Sequence, residues 1–552
     1  MRTVVPRAAR GVFGPRFAHS CAAATRSPNR LSKSLGSGSS PNLSLALGTR
    51  TGSRGLSSTA RRRDDKVDEN ENYDEYQRKW STPLAEQLGK AISATGPVPL
   101  ASFMRMCLTG DMGGYYTGAI EKGRDQFGLK GDFVTSPEIS QVFGELIGIW
   151  FVAEWLAQGR QKQGVELIEV GPGRGTLMSD VLRTIQKFPA MADSIDAVYM
   201  VEASPELRGA QKKLLCGEDA AMTESKVGSH SVCKYMSVPI VWTENIKSIP
   251  TSAEKMPFVV AHEFFDALPI HAFECVTVPP TQSIPQDEAD RSSPSTKTSQ
   301  PTLQWRELLV SPTPPESTHE TLHTPPSQSR DTPPPDFQLT IAQAATRHSL
   351  YLPESSPRYR AIKSGAGPGA LIEVCPDASL YASDFAARIG GSAQHPKRKP
   401  SGAALILDYG PGDGTVPTNS LRGIRRHRRV SPFAEPGLTD LSADVDFAGI
   451  AEAAARASEG IELHGPVEQG TFLQIMGIQE RVKALVAAAK ARADAGDKEA
   501  EGYAADVEKA WKRLVDRGPG GMGKVYKVMA MLPENEGRRR PVGFGGNVSV
   551  EE

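Results

Sequence analysis

The stretch Glu166-Leu167-Ile168-Glu169-Val170-Gly171-Pro172-Gly173-Arg174-Gly175-Thr176 constrains this chain more than any other. A short apolar run ends in a carboxylate and turns through glycines at 171, 173 and 175. It then enters an amphipathic segment with Leu177, Val181, Leu182 and Ile185 at helical spacing. Strand, glycine turn and helix together form the context of a nucleotide-type binding loop, because glycine lets the backbone turn tightly and lets a ligand approach with no Cβ in the way.

The spacing narrows the ligand. A dinucleotide fingerprint needs G-x-G-x-x-G, but Thr176 takes the place of its third glycine, and no Gly-Lys-Ser/Thr ending is present for a P-loop. An acid at Glu169 followed by G-x-G-x-G resembles the first motif of class I S-adenosylmethionine (SAM) methyltransferases. SAM carries a ribose, an amino group and a sulfonium cation, and carboxylates beside open backbone suit all three. The plainer reading is a glycine-rich turn that only packs.

Charge divides the chain of 552 residues unevenly. Residues 1–63 hold 12 Lys or Arg and no Asp or Glu, which leaves 52 basic against 64 acidic residues beyond them, a net charge near −12. A general nucleic-acid binder is therefore not expected. The acid-free, Ser- and Ala-rich start has the composition of a mitochondrial transit peptide, with processing expected near residues 57–63, although a basic tail has the same composition. No apolar run reaches the length of a membrane span. The cysteines at 21, 107, 216, 233, 275 and 375 form no C-x-x-C pair and read as reduced thiols.

Residues 64–79 read as a linker, 80–532 as the globular domain and 533–552 as a loose tail. Leu84, Leu88 and Ile92 predict a helix, and residues 97–109 a turn and a second helix. Ser136 is expected to cap a helix that starts at Pro137 and runs through Trp155. Ala197–Glu202 reads as a second strand whose terminal carboxylate either binds both ribose hydroxyls or caps the helix after it. Residues 216–233 read as a loop insertion. Met256–Ala261 is a further buried strand, running into His262-Glu263-Phe264-Phe265-Asp266-Ala267-Leu268-Pro269. There Glu263 and Asp266 flank two aromatics where the chain leaves the sheet, and they suit either a cationic acceptor or helix capping.

Residues 279–301 and 312–336, rich in Pro, Ser and Thr, read as disordered insertions around a strand at 303–310 with a partner at 337–342. Leu405–Asp408 reads as the fifth strand, with Asp408 either near the site or capping. The basic run Arg422–Arg429 reads as an exposed loop. Asp440, Asp444 and Asp446 lack the glycine and distal glutamate of a calcium loop, so no metal site is expected. Residues 479–515 form a long helical region, and Lys524–Met531 a last strand.

Several motifs combine into one pattern. Gly131–Ser140, Glu169–Thr176, His262–Pro269, Glu373–Ala378, Asp408–Gly410 and Ser442–Phe447 together resemble the MidA-type mitochondrial protein arginine methyltransferases, an assembly-factor family of respiratory complex I. The resemblance runs from about residue 80 to 532. It implies an α/β fold of the class I SAM-methyltransferase (Rossmann-like) kind, a doubly wound sheet with an N-terminal helical extension and a small inserted β-excursion. It also implies a matrix enzyme that uses SAM to dimethylate symmetrically an arginine of a core peripheral-arm subunit of complex I. Glu169, Gly171, Gly173, Gly175 and Glu202 are the expected cofactor-binding residues. Glu263 and Asp266 are the expected catalytic pair, with Glu138 a third candidate. The insertions and the 422–429 run depart from the compact family pattern. The other readings are a SAM methyltransferase of a different nucleophile and a SAM-binding assembly chaperone.

Overall fold

A computed structural model describes residues 78–118, 132, 134–279, 301–322, 324–329 and 332–545. The transit-peptide segment, most of the linker and most of the 279–301 insertion lie outside these residues. The main sheet contains seven strands that carry the argument: β1 (Val165–Val170), β2 (Ile195–Val201), β3 (Pro239–Thr243), β4 (Met256–His262), β5 (Ala403–Tyr409), β6 (Ile461–Glu468) and β7 (Tyr526–Pro533). Their spatial order is β6-β7-β5-β4-β1-β2-β3. The pairs β1–β2, β1–β4, β2–β3 and β4–β5 are parallel, whereas β7 runs antiparallel to both β5 and β6.

The central strands are apolar along almost their whole length because helices cover both faces. Val165 and Leu167 face a cluster with Trp150, Phe151, Val181 and Leu182, while Ile168 and Val170 face Phe385, Ile389, Ile450 and Ala454. The chain moves from β3 across to β4 on the far side of β1, which places the topological switch point at β1 and β4. Ligands of open α/β sheets bind outside the carboxyl ends of the strands at such a point. The glycine loop leaves β1 there, and the 262–269 stretch leaves β4 beside it.

A second sheet is inserted between β4 and β5. His271–Val278, Thr302–Pro312 and Leu371–Val374 form its spine, and Val98–Pro99 and Phe337–Ile341 both pair with the 302–312 strand. The expected pairing of 303–310 with 337–342 is present. The N-terminal helices Pro83–Thr95 and Leu100–Thr109 pack on this sheet through Leu84, Leu88, Phe103 and Met104 against Leu308, Val310 and Phe337. The extension and the β-excursion thus share one core.

Five expectations change. The helix expected from Pro137 is broken in two: Ser136–Ile139 forms one turn, and the long helix begins at Gln141 with the Ser140 hydroxyl accepting from Val142 N. Apolar spacing continues through both pieces, so periodicity alone does not reveal the break. Residues 216–233 are more than a loop, since Thr223–Glu224 and Ser229–Val232 extend the main sheet beyond β3. Residues 422–429 form a hairpin, Arg422–Arg425 with Arg428–Val430, whose first strand also pairs with Asp440–Ser442. The tail after Pro533 is fastened as far as residue 545. Arg539 forms a bidentate ion pair with buried Glu154, Trp150 Nε1 donates to Val542 O, and Phe544 packs on Phe472. The 479–515 region divides into helices Ile478–Asp494 and Lys498–Val515. Among the described residues no helix is long and apolar enough to cross a membrane.

Candidate functional site

The carboxyl ends of β1, β2 and β4 open into a cavity of about 1000 Å³. Glu169, Gly171, Gly173, Glu202, Glu263 and Asp266 all line it. The structure therefore brings the sequence-predicted cofactor and acceptor residues into one space, with Gly175 at the start of the helix behind the loop.

The glycine loop owes its shape to backbone that other residues rarely adopt. Gly171, Gly173 and Gly175 have φ of 66°, 52° and 84°. A Cβ on Gly171 would stand 2.6 Å from Phe264 Cδ2, so the loop and the 262–269 stretch lie in direct contact. Gly171 N–H donates to Val201 O and Gly175 N–H to Pro172 O, at 3.0 and 2.8 Å. Glu138 secures the outer side of the loop, accepting from Thr176 Oγ1 at 2.6 Å and from Arg174 at 3.3 Å. This third acceptor candidate is thus engaged with the glycine loop.

Two carboxylates border the loop. Glu169 is 3 % exposed, and its Oε2 has no hydrogen-bond partner. Burial, reinforced by nearby Glu202, holds its carboxyl well above the usual range. Glu202 accepts from Ser204 N at 2.9 Å and from Gln211 Nε2 at 3.2 Å, and burial pushes it up to about 7. Ser204 itself caps the helix Pro205–Cys216, so Glu202 supports the cap and still lines the cavity. Gln211 also donates to Gly173 O at 2.6 Å and accepts from Trp242 Nε1, tying the loop to β2 and β3. An unpaired buried carboxylate oxygen beside open backbone fits a ligand with a cationic head and hydroxyls to donate.

The opposite end of the cavity is acidic and phenolic. Glu263 adopts φ 50°, and its N–H donates to Leu407 O on β5. Its carboxyl is pushed up to about 8 by burial and then by Asp266, and Oε1 lacks a partner. Asp266 accepts from the Tyr409 hydroxyl, while its Oδ1 lacks a partner; burial raises this carboxyl too. His262 Nε2 lies 3.4 Å from Glu263 Oε1, and burial lowers the imidazole to about 3, so it is neutral.

Asp408 resolves its two readings in favour of both. It lies at the end of β5 and accepts through Oδ2 from the N–H groups of Phe264, Phe265 and Asp266, at 3.2, 2.9 and 3.3 Å. One carboxylate thus sets the turn that presents both candidate acids.

Several site residues escaped the sequence reading. Asp440 accepts from the Tyr116 hydroxyl at 2.9 Å and is pushed up to about 8 by burial and then by Asp266. Tyr409 and Tyr526 stand edge to face at 5.2 Å. Arg422 lies 4.3 Å over the Tyr409 ring and pairs with Asp444 at 2.6 Å. The 422–429 hairpin is therefore a cavity wall, to which Arg422, Ile424, His427 and Arg429 contribute. The signals were present in the Gly-Gly-Tyr-Tyr turn at 113–116 and in the acids at 440 and 444, but nothing local said that they converge.

Comparison with known proteins agrees with this geometry. A family model described as "Putative S-adenosyl-L-methionine-dependent methyltransferase" matches residues 146–467. Protein arginine methyltransferase NDUFAF7, mitochondrial, of Rattus norvegicus is 33% identical over 475 residues, covering 85% of this chain and 88% of its own length. The Homo sapiens protein of that name is 34% identical over 410 residues, 73% of this chain and 76% of its own. A crystal structure from Burkholderia thailandensis with S-adenosyl-homocysteine bound shares the fold, with a TM-score of 0.54 at 20% identity and coverage of 84% of this chain and 92% of that one. The family model spans more than half of the chain and these relatives align along most of it; the chain belongs to the SAM-dependent methyltransferase family that includes the mitochondrial NDUFAF7 proteins, and SAM is its methyl donor.

Proposed function

We propose that this enzyme methylates an arginine side chain of a protein, working in the mitochondrial matrix on a core peripheral-arm subunit of complex I and yielding symmetric dimethylarginine. The observation that carries the arginine reading is the acidic end of the cavity. Asp266 and Asp440 are buried and Glu263 nearly so beside the glycine loop, and Glu263 and Asp266 carry unpartnered oxygens. Buried acids whose affinity for protons is raised this far are relieved by a bound cation. A planar guanidinium, with donors arranged in a fork, satisfies several carboxylates at once. The relatives named protein arginine methyltransferase support the same choice. Their names place them in mitochondria, in keeping with the acid-free leader.

SAM supplies an electrophilic methyl on a sulfonium. The residues of the chain do the rest. Glu169 and Glu202, on β1 and at the end of β2, meet the cationic and hydroxyl groups of the donor. Gly171, Gly173 and Gly175 allow it to lie against the backbone. Glu263 and Asp266 hold the guanidinium so that one nitrogen is in line with the carbon–sulfur bond, and alignment supplies much of the rate. As the nitrogen–carbon bond forms and the carbon–sulfur bond breaks, that nitrogen sheds a proton. Glu263 can take it once the bound guanidinium has displaced the proton that its raised carboxyl otherwise carries.

The test uses Glu263→Gln and Asp266→Asn. Calorimetry should show SAM bound with little change, while transfer to the purified complex I subunit, mapped by mass spectrometry, is lost. Normal rates in folded variants reject the assignment. Methyl groups on a residue other than arginine reject the substrate class.

A further inference from the structure

We propose a second, metal-binding site in the inserted sheet, where His271, Glu307 and His348 hold a divalent transition-metal ion of the zinc type. The three come from separate elements: the first residue of the His271–Val278 strand, the middle of the Thr302–Pro312 strand, and the short helix Arg347–Tyr351. His271 Nδ1 lies 2.8 Å from Glu307 Oε1, and His348 Nδ1 lies 3.1 Å from the same oxygen and 3.3 Å from Oε2. One candidate ligand atom from each residue falls within 4.8 Å of the other two. None of the three residues lines the SAM cavity.

Two nitrogens and one carboxylate oxygen form a ligand set that a zinc-type ion accepts, commonly with water as a fourth ligand. Tetrahedral bonds of about 2.0–2.2 Å place neighbouring ligand atoms about 3.3–3.5 Å apart. The two His–Glu307 spacings therefore need to open by about half an ångström, and the imidazole pair lies within 4.8 Å. Glu307 is fully buried, and the groups holding it are two imidazoles and the Thr346 hydroxyl. A buried carboxylate favours a full positive charge beside it, which a divalent ion supplies. Outer-shell support is already in place. Thr346 donates to Glu307 Oε2 and forms the reciprocal capping box with Ser349 that fixes the helix carrying His348. The His348 side chain is 46% exposed, which leaves an entry path and room for water.

The site has a structural consequence. Leu268 and Pro269, which line the SAM cavity, lie just before His271. An ion here pins the root of that strand to the 302–312 strand and to the 347–351 helix, and so braces one cavity wall. Sequence spacing hides the site, because the ligands are separated by 36 and 41 positions along the chain.

The full chain, stripped with a chelator and titrated with Zn²⁺ against a chromophoric competitor, should bind one equivalent. X-ray absorption at the zinc edge should show imidazole scattering and a nitrogen/oxygen shell without sulfur. His348→Ala, at a half-exposed position, should weaken binding at least tenfold while the melting curve of the metal-free protein stays unchanged. Glu307→Gln should do the same if it folds. Absence of stoichiometric binding, a sulfur-containing shell, or an affinity unchanged in His348→Ala would each overturn the proposal. None of these readouts depends on methyl transfer, so failure here leaves the arginine reading untouched.

Discussion

Glu263→Gln should make the protein more stable and less active, and the size of the gain should depend on pH. In the folded protein burial, reinforced by Asp266, raises this carboxyl from 4.5 to about 8. Between those values the native state holds a proton that the unfolded chain has released. Stability therefore falls as pH rises through that window, and the contribution present below pH 4.5 is gone above pH 8. Glutamine keeps the shape and does not titrate. Each pH unit inside the window is worth about 1.4 kcal/mol, so between pH 5 and pH 7 the variant should gain up to about 3 kcal/mol relative to the parent. Asp266 and Asp440 titrate in both proteins, and because Glu263 is largely protonated below pH 7 they lose little repulsion when it is replaced. Urea unfolding of the cofactor-free proteins at pH 5, 6 and 7, at matched ionic strength, measures the difference directly. Initial rates should fall at least about 100-fold, the scale of a lost general base. A stability difference that is flat with pH would refute the buried-acid argument, whatever the rates show.

Gly171→Ala places a Cβ 2.6 Å from Phe264 at φ 66°, a combined steric and backbone cost of about 2–4 kcal/mol; calorimetry should show at least tenfold weaker SAM binding, and unchanged affinity would remove this loop from the cofactor site. Asp408→Asn turns an amide NH2 either toward the three N–H groups of residues 264–266 or toward Tyr409 N–H, at about 1–3 kcal/mol. It should lower kcat with little change in SAM affinity, and a variant with normal kcat would show that the turn holds without it. Arg539→Ala strands the buried Glu154 carboxylate at about 2 kcal/mol; differential scanning calorimetry should record a lower Tm, and an unchanged Tm would mean that the tail adds nothing to the body.

What could be read in advance follows the range over which each feature is determined. The glycine loop is a local object. Strand, turn and helix fall within residues 165–185, and the positive φ angles require glycine whatever surrounds them. The buried strands of the main sheet are also local, because two-sided burial writes itself as a continuous apolar run. The break at Ser140 was illegible because apolar spacing continues across it. The 223–232 strands are mostly polar and bury only Ser231, so no hydrophobic pattern marks them. Tyr116 and Asp440 meet across 324 positions, and neither carries a local sign of the other.

The same distinction has a mechanical meaning. The end proposed to hold the cofactor is made by consecutive elements of the main sheet, β1 with its loop and β2 with Glu202. The end proposed to hold the acceptor is assembled from three sources: the turn after β4, the end of β5, and the outer layer that brings Tyr116 and Asp440. Asp408 links the first two, since it belongs to β5 and holds the N–H groups of residues 264–266. Arg422 links the third, pairing with Asp444 while lying over the Tyr409 ring next to Asp266. Arg422 and Tyr409 thus connect the outer layer to Asp266, whereas the glycine loop meets this turn where Phe264 lies against Gly171. It follows that changes in the 422–444 region should alter acceptor KM and kcat and leave SAM affinity nearly constant.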